Sequence, residues 1–201
     1  MSLEKEIINY NDNIEDIKHW VTLKGEIRYE KIISFLHDKN IECTWENVTS
    51  YMKYDKRILL NVFKYIIVLE ELYKSFVIMK KGKNRTNVWN KTFGNAYSEY
   101  LSLGSKAKYD NINLGLMKNE QEAIRKFRND VVHNKILLNR KYGGRTLEEI
   151  LKIFIQILPG EYRHGFIKDI NNCCKELVET NWHINIMEWL FFLHSIAQIH
   201  L

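Results

Sequence analysis

Proline occurs once in 201 residues, at Pro159, and glycine only nine times. A chain with so few breakers is poorly suited to many tight turns, and an all-α fold is expected. Cysteine is equally sparse: Cys43, Cys173 and Cys174, with no CxxC spacing. That odd, unspaced set argues for reduced, structural thiols. No apolar run approaches the ~18 residues of a membrane span. The opening "MSLEKEIINYNDN" lacks the apolar stretch and cleavage site of a signal peptide. A soluble, cytoplasmic protein with no membrane partner is expected. Gly-rich phosphate loops, a nucleophile elbow and HExxH are all missing. His194 and His200 stand about 240° apart around a helix and cannot share a metal from one face. No metal and no cofactor is expected.

What is present is a 45% apolar chain, long enough for one domain with a sizeable core. The net charge is +5 and unevenly placed. Residues 74 to 91 hold Lys74, Lys80, Lys81, Lys83, Arg85 and Lys91 with no acid. Residues 118 to 145 hold eight basic residues against three acids. Such segments either attract phosphates or form two solvated lysine-rich faces.

Helical periodicity runs through most of the chain. Helices are expected at 3 to 21 and 26 to 38, and these with the rest of residues 1 to 50 form an N-terminal cap. The clearest helix is 55 to 80, "DKRILLNVFKYIIVLEELYKSFVIMK", with Asp55 as its cap. Its apolar positions cover most of the circumference, so it should be central and buried. Residues 83 to 118 read as short helices and loops. A helix over 119 to 138 begins with an Asn119/Glu122 capping box. Another begins at the Thr146/Glu149 box and ends at Pro159. Helices at 161 to 179 and 184 to 199 complete a single domain over 1 to 201. Of the five tryptophans, most are expected as core anchors, while Trp89 lies in a basic segment and can stack on a base.

The helix over 119 to 138 has two faces. At ~100° per residue, Ile124, Phe127, Val131 and Leu138 form one apolar stripe. Arg128, Val132, Ile136, Asn129 and His133 spread over a second, mixed surface. A solvated face has no need of Val132 and Ile136, which suit a contact within the chain or across a dimer. The Arg-to-His spacing alone arises by chance roughly 0.3 times in such a chain, so spacing by itself decides nothing. Two readings fit: a phosphate-binding, proton-transferring pair, or an interface histidine with Arg128 ion-paired to Glu122 or Asp130. Glu70 and Lys74 read as an i,i+4 helix pair.

The stretch Arg128-Asn-Asp-Val-Val-His133 resembles the R-x(4–6)-H signature of the HEPN superfamily, and more narrowly the R-N-x-x-x-H helix of abortive-infection (Abi-like) proteins. The helix from Asp55 is similar to that family's long helix, with Glu70 and Lys74 at the matching acidic and basic positions. The likeness spans roughly residues 55 to 145, as a HEPN-like core within a helical bundle carrying extra N- and C-terminal helices. It implies a homodimeric, metal-independent endoribonuclease, a toxin or phage-defence effector with a cognate antitoxin among its partners. Arg128, Asn129 and His133 would be catalytic, with Lys80, Lys81, Lys83, Arg85, Lys135 and Arg140 holding RNA and Val132 and Ile136 at the dimer interface. Where some toxins of the superfamily carry a Tyr two residues after the His, this chain has Lys135. The superfamily also includes members that only bind, which leaves a non-catalytic RNA-binding or adaptor module as the alternative.

Overall fold

The computed structural model describes residues 2–81, 86–103, 118–178 and 180–186, with backbone alone at 86, 118 and 119. Among them are eight α-helices and no strand: α1 Leu3–Glu6, α2 Ile14–Lys24, α3 Glu26–Asp38, α4 Trp45–Lys81, α5 Phe93–Leu101, α6 Lys118–Val132, α7 Leu147–Ile157 and α8 Gly160–Asn172. The fold is all-α. No described helix is long and apolar enough to cross a membrane. Most of the expected 184 to 199 helix, with Trp189, His194 and His200, lies outside the described residues. So do residues 83–85 and 104–117 and the Asn119 side chain.

The spine is α4, whose 37 residues extend about 55 Å at 1.5 Å per residue. Val48, Tyr51, Ile58, Val62, Tyr65, Leu69, Tyr73 and Val77 recur at helical spacing and are all buried. They meet α3, α5, α6 and α8, which pack around α4. Aromatic contacts carry much of this packing. Tyr29 of α3 stacks on Trp45 at 5.6 Å, joining the N-terminal helices to the start of α4. Tyr73 meets Phe93, Tyr97 and Tyr100 of α5. Phe127 of α6 meets Phe154 of α7, which stacks on Phe166 of α8, which in turn meets Tyr65. Offset and edge-on ring pairs of this kind add about 0.5–1.5 kcal/mol each beyond their burial.

Several expected boundaries move. The 3 to 21 helix is two pieces, α1 and α2, with a 3₁₀ turn at Asn11–Asn13 between them. The long helix starts ten residues before Asp55, which is therefore a mid-helix side chain, 1% exposed, and no cap. The 161 to 179 helix gives way to a 3₁₀ turn at Cys173–Glu176. The Thr146/Glu149 capping box forms as expected, with the Thr146 hydroxyl accepting from the Glu149 amide and the Glu149 carboxylate from the Thr146 amide. Among the described tryptophans only Trp45 is fully buried; Trp20 and Trp89 are open to solvent.

The most consequential change is at the end of α6. The helix stops at Val132, six residues early. Asn134 adopts φ 53°, and its amide donates to the Val131 carbonyl while the Lys135 amide donates to the Asp130 carbonyl. This is a Schellman turn with Asn134 at the left-handed position that asparagine tolerates. Leu138 and Ile136 therefore leave the helix. Ile136, expected at a dimer interface, is 3% exposed and packs in the chain's own core. Val132 remains on the outer face.

Candidate active site

The core face of α6 is as the pattern requires: Ile124, Phe127 and Val131 are buried. The candidate residues run round the flank of the helix, from Arg128 about 40° from Ile124 to His133 opposite it. Arg128 is half-buried, Asn129 is half-buried, and Val132 and His133 are exposed. The His133 amide donates to the Asn129 carbonyl, which makes His133 the last residue held by the helix ladder. Neither the His133 imidazole nor the Asn129 amide side chain has a hydrogen-bond partner among the described residues. Five positions of helix set Arg128 and His133 about 140° and 7.5 Å apart, so the two side chains leave α6 in different directions. One chain does not bring them together.

Arg128 reaches α4. Its Nη2 lies 3.6 Å from Glu70 Oε2, an ion pair too long for a good hydrogen bond. Its Nε is buried with no partner. The Glu122 and Asp130 partners expected for Arg128 are taken by other cations. Glu122 pairs with Arg125 at 2.8 Å and Lys126 at 3.5 Å. Glu70 turns its other oxygen to Lys74 Nζ at 2.7 Å, and Lys74 also donates to the Trp89 carbonyl at 3.0 Å. The i,i+4 pair read from sequence is thus present and forms the middle of a chain from Trp89 through Lys74 and Glu70 to Arg128. Ile67, Glu70, Glu71, Lys74 and Trp89 line a cleft of about 230 Å³ at this point.

The turn after α6 is held from below. Asp55 Oδ1 accepts the amides of Leu137 and Leu138 at 2.8 and 2.9 Å. Arg28 Nη2 donates to the Asn134 carbonyl at 2.6 Å, and Lys56 Nζ to Asn134 Oδ1 at 2.7 Å. Burial pushes the Asp55 carboxyl up from 3.8 to about 6, against the lowering effect of the two amides and of Arg28 and Lys56. Sequence reasoning missed Asp55 in this role. The available signal was an acid on the buried stripe of α4, between Tyr51 and Ile58.

The expected basic surface is thinner than the charge count suggests. Lys135 and Arg140 both pair with the buried Asp130, at 2.8 and 2.7 Å. Lys74 is buried on Glu70, and Lys91 is paired with Glu99. Lys80 and Lys81 stand at the last turn of α4, where Lys81 donates to the Ser102 hydroxyl at 3.1 Å. Lys83 and Arg85 lie outside the described residues.

An apolar stripe adjoins the candidate residues. Leu60, Phe63 and Ile67 of α4 are 55%, 40% and 43% exposed, and Val132 of α6 is 41% exposed. At 100° per residue, Lys56, Leu60, Phe63, Ile67 and Glu70 fall within about 80° of one another. Lys56 and Glu70 are the residues that touch Asn134 and Arg128, so these two links to α6 bracket the stripe. No family model, no curated protein and no solved structure matches this chain.

Proposed function

We propose that the chain is an endoribonuclease of the HEPN/Abi-like type, a toxin or phage-defence effector that acts on cytoplasmic RNA as a homodimer. The observation that carries this reading is the outer face of α6, where Arg128, Asn129, Val132 and His133 border an unpartnered apolar stripe on α4. A second copy related by a two-fold axis covers Leu60, Phe63 and Val132 and sets two α6 helices side by side. Arg128 and His133, which diverge within one chain, then face the same groove from opposite copies.

The chemistry follows from the residue types. RNA supplies its own nucleophile, the 2′-OH. One imidazole takes its proton as the oxygen attacks the adjacent phosphorus. The 5′-oxygen leaves with a proton from the second copy's imidazole, giving a 2′,3′-cyclic phosphate and a 5′-OH end. Arg128 holds the non-bridging oxygens and offsets charge developing on them. Asn129, half-buried between them, can donate its amide to the same phosphate.

The Arg128–Glu70 ion pair favours a second reading, a non-catalytic RNA-binding or adaptor module in which Arg128 is structural. The assembly test is common to both. Leu60→Glu or Val132→Glu places a carboxylate in the apolar seam and should convert dimer to monomer in light scattering, with helicity unchanged. A wild-type chain that is monomeric at micromolar concentration would remove the composite site altogether. Activity then separates the readings, since assembly without cleavage leaves only the module.

A further inference from the structure

We infer that the cleft between Trp89 and α4 is a base-recognition subsite for guanine in single-stranded RNA. The inference rests on the RNA-cleaving reading above and adds a sequence preference to it. The cleft of about 230 Å³ is smaller than the ~300–1,000 Å³ of drug-sized sites, and suits one planar ring system. Its walls divide the labour. Trp89 is 50% exposed and offers a stacking face, with Ile67 as an apolar wall. Stacking on an aromatic ring strengthens binding and discriminates little among bases.

Discrimination comes from the carboxylates. Glu70 is occupied by Lys74 and Arg128. Glu71 lines the same cleft, is exposed, and has no ion pair or hydrogen bond among the described residues. An ionised carboxylate only accepts hydrogen bonds, and two parallel donors satisfy it best. Guanine presents such a pair, N1–H and the N2 amino group. Adenine and cytosine offer one amino group each, and uracil one imino N–H.

The same charges orient the nucleotide. Glu71, the carboxylate without a paired cation, repels a phosphate from the cleft. Arg128, on the far side of Glu70, attracts one. Base in the cleft and phosphate at Arg128 is therefore the arrangement the charges favour. Lys74 fixes this geometry, because its ammonium ties the Trp89 backbone to Glu70.

The test is binding of labelled 2′-O-methyl tetranucleotides UUGU, UUAU, UUCU and UUUU to the full chain by fluorescence anisotropy. Methylation removes the nucleophile, so binding is read without cleavage. UUGU should bind about tenfold tighter than the others, equivalent to about 1.4 kcal/mol. Glu71→Gln should bring UUGU to the level of the other three and leave those within twofold. Trp89→Ala should weaken all four. Equal binding of the four by wild type, or a guanine preference that survives Glu71→Gln, overturns the subsite while the RNA reading stands. No binding of any oligonucleotide, together with no cleavage of RNA, overturns both.

Discussion

His133→Ala should lower RNA cleavage by about 10²–10⁴-fold, the usual contribution of a positioned acid or base. The imidazole is exposed and has no partner among the described residues, so the substitution should leave thermal stability within about 0.5 kcal/mol of wild type. A loss of activity without a loss of fold is then a loss of chemistry. Arg128→Ala should be comparably inactive, and Arg128→Lys should not rescue it, because an ammonium lacks the planar fork that grips two phosphate oxygens. Arg128→Ala also frees Glu70 Oε2, but Lys74 still holds the other oxygen, so the fold should survive. Cleaved RNA should end in 2′,3′-cyclic phosphate, and chelators should leave the rate unchanged. If His133→Ala cleaves as fast as wild type, the imidazole is not catalytic and the module reading takes over.

The largest stability effect is expected at Asp55. Asp55→Ala leaves the amides of Leu137 and Leu138 buried without an acceptor, at about 1–3 kcal/mol each. It also releases the segment that follows His133, so the residual folded protein should cleave RNA more slowly. Asp55→Asn keeps an acceptor oxygen and removes the charge. The pH dependence separates the two effects. Because burial raises the folded-state value from 3.8 to about 6, the folded chain binds this proton more readily than the unfolded chain. The stability it contributes is fully present below pH 3.8 and is lost as pH rises through 6. The displacement corresponds to about 3 kcal/mol. Denaturant titrations from pH 4 to 7 should show this decline in wild type and not in Asp55→Asn, which should match or exceed wild-type stability at pH 7. A decline of the same size in Asp55→Asn would assign it to another group.

What could be read from sequence was local. The Thr146/Glu149 box involves residues three apart, and it forms as read. The stripe of Ile124, Phe127 and Val131 follows from helical spacing and is buried. Glu70 and Lys74, four apart, do pair. What could not be read depends on distant partners. Asp55 looks like a cap because its true partners lie 82 and 83 residues further on. The early end of α6 rests on Asn134, whose left-handed turn is gripped by Arg28 and Lys56. The pattern continued the helix through Ile136 and Leu138 because both are apolar. They are apolar for another reason: they enter the core as a non-helical segment. Lys135 and Arg140 read as free cations because nothing in their spacing reveals a shared Asp130.

The unequal burial of the helices has a consequence for hydrogen exchange. Between Ile58 and Val77, α4 is packed by α5, α6 and α8 at once, so freeing its central amides requires all of them to come away. Those amides should exchange at the rate set by global unfolding. In α2 only Ile17 is fully buried, so this helix can open without disturbing the spine. Deuterium uptake followed by mass spectrometry should therefore find α2 labelled in minutes, while the middle of α4 stays protected on the timescale of the whole fold.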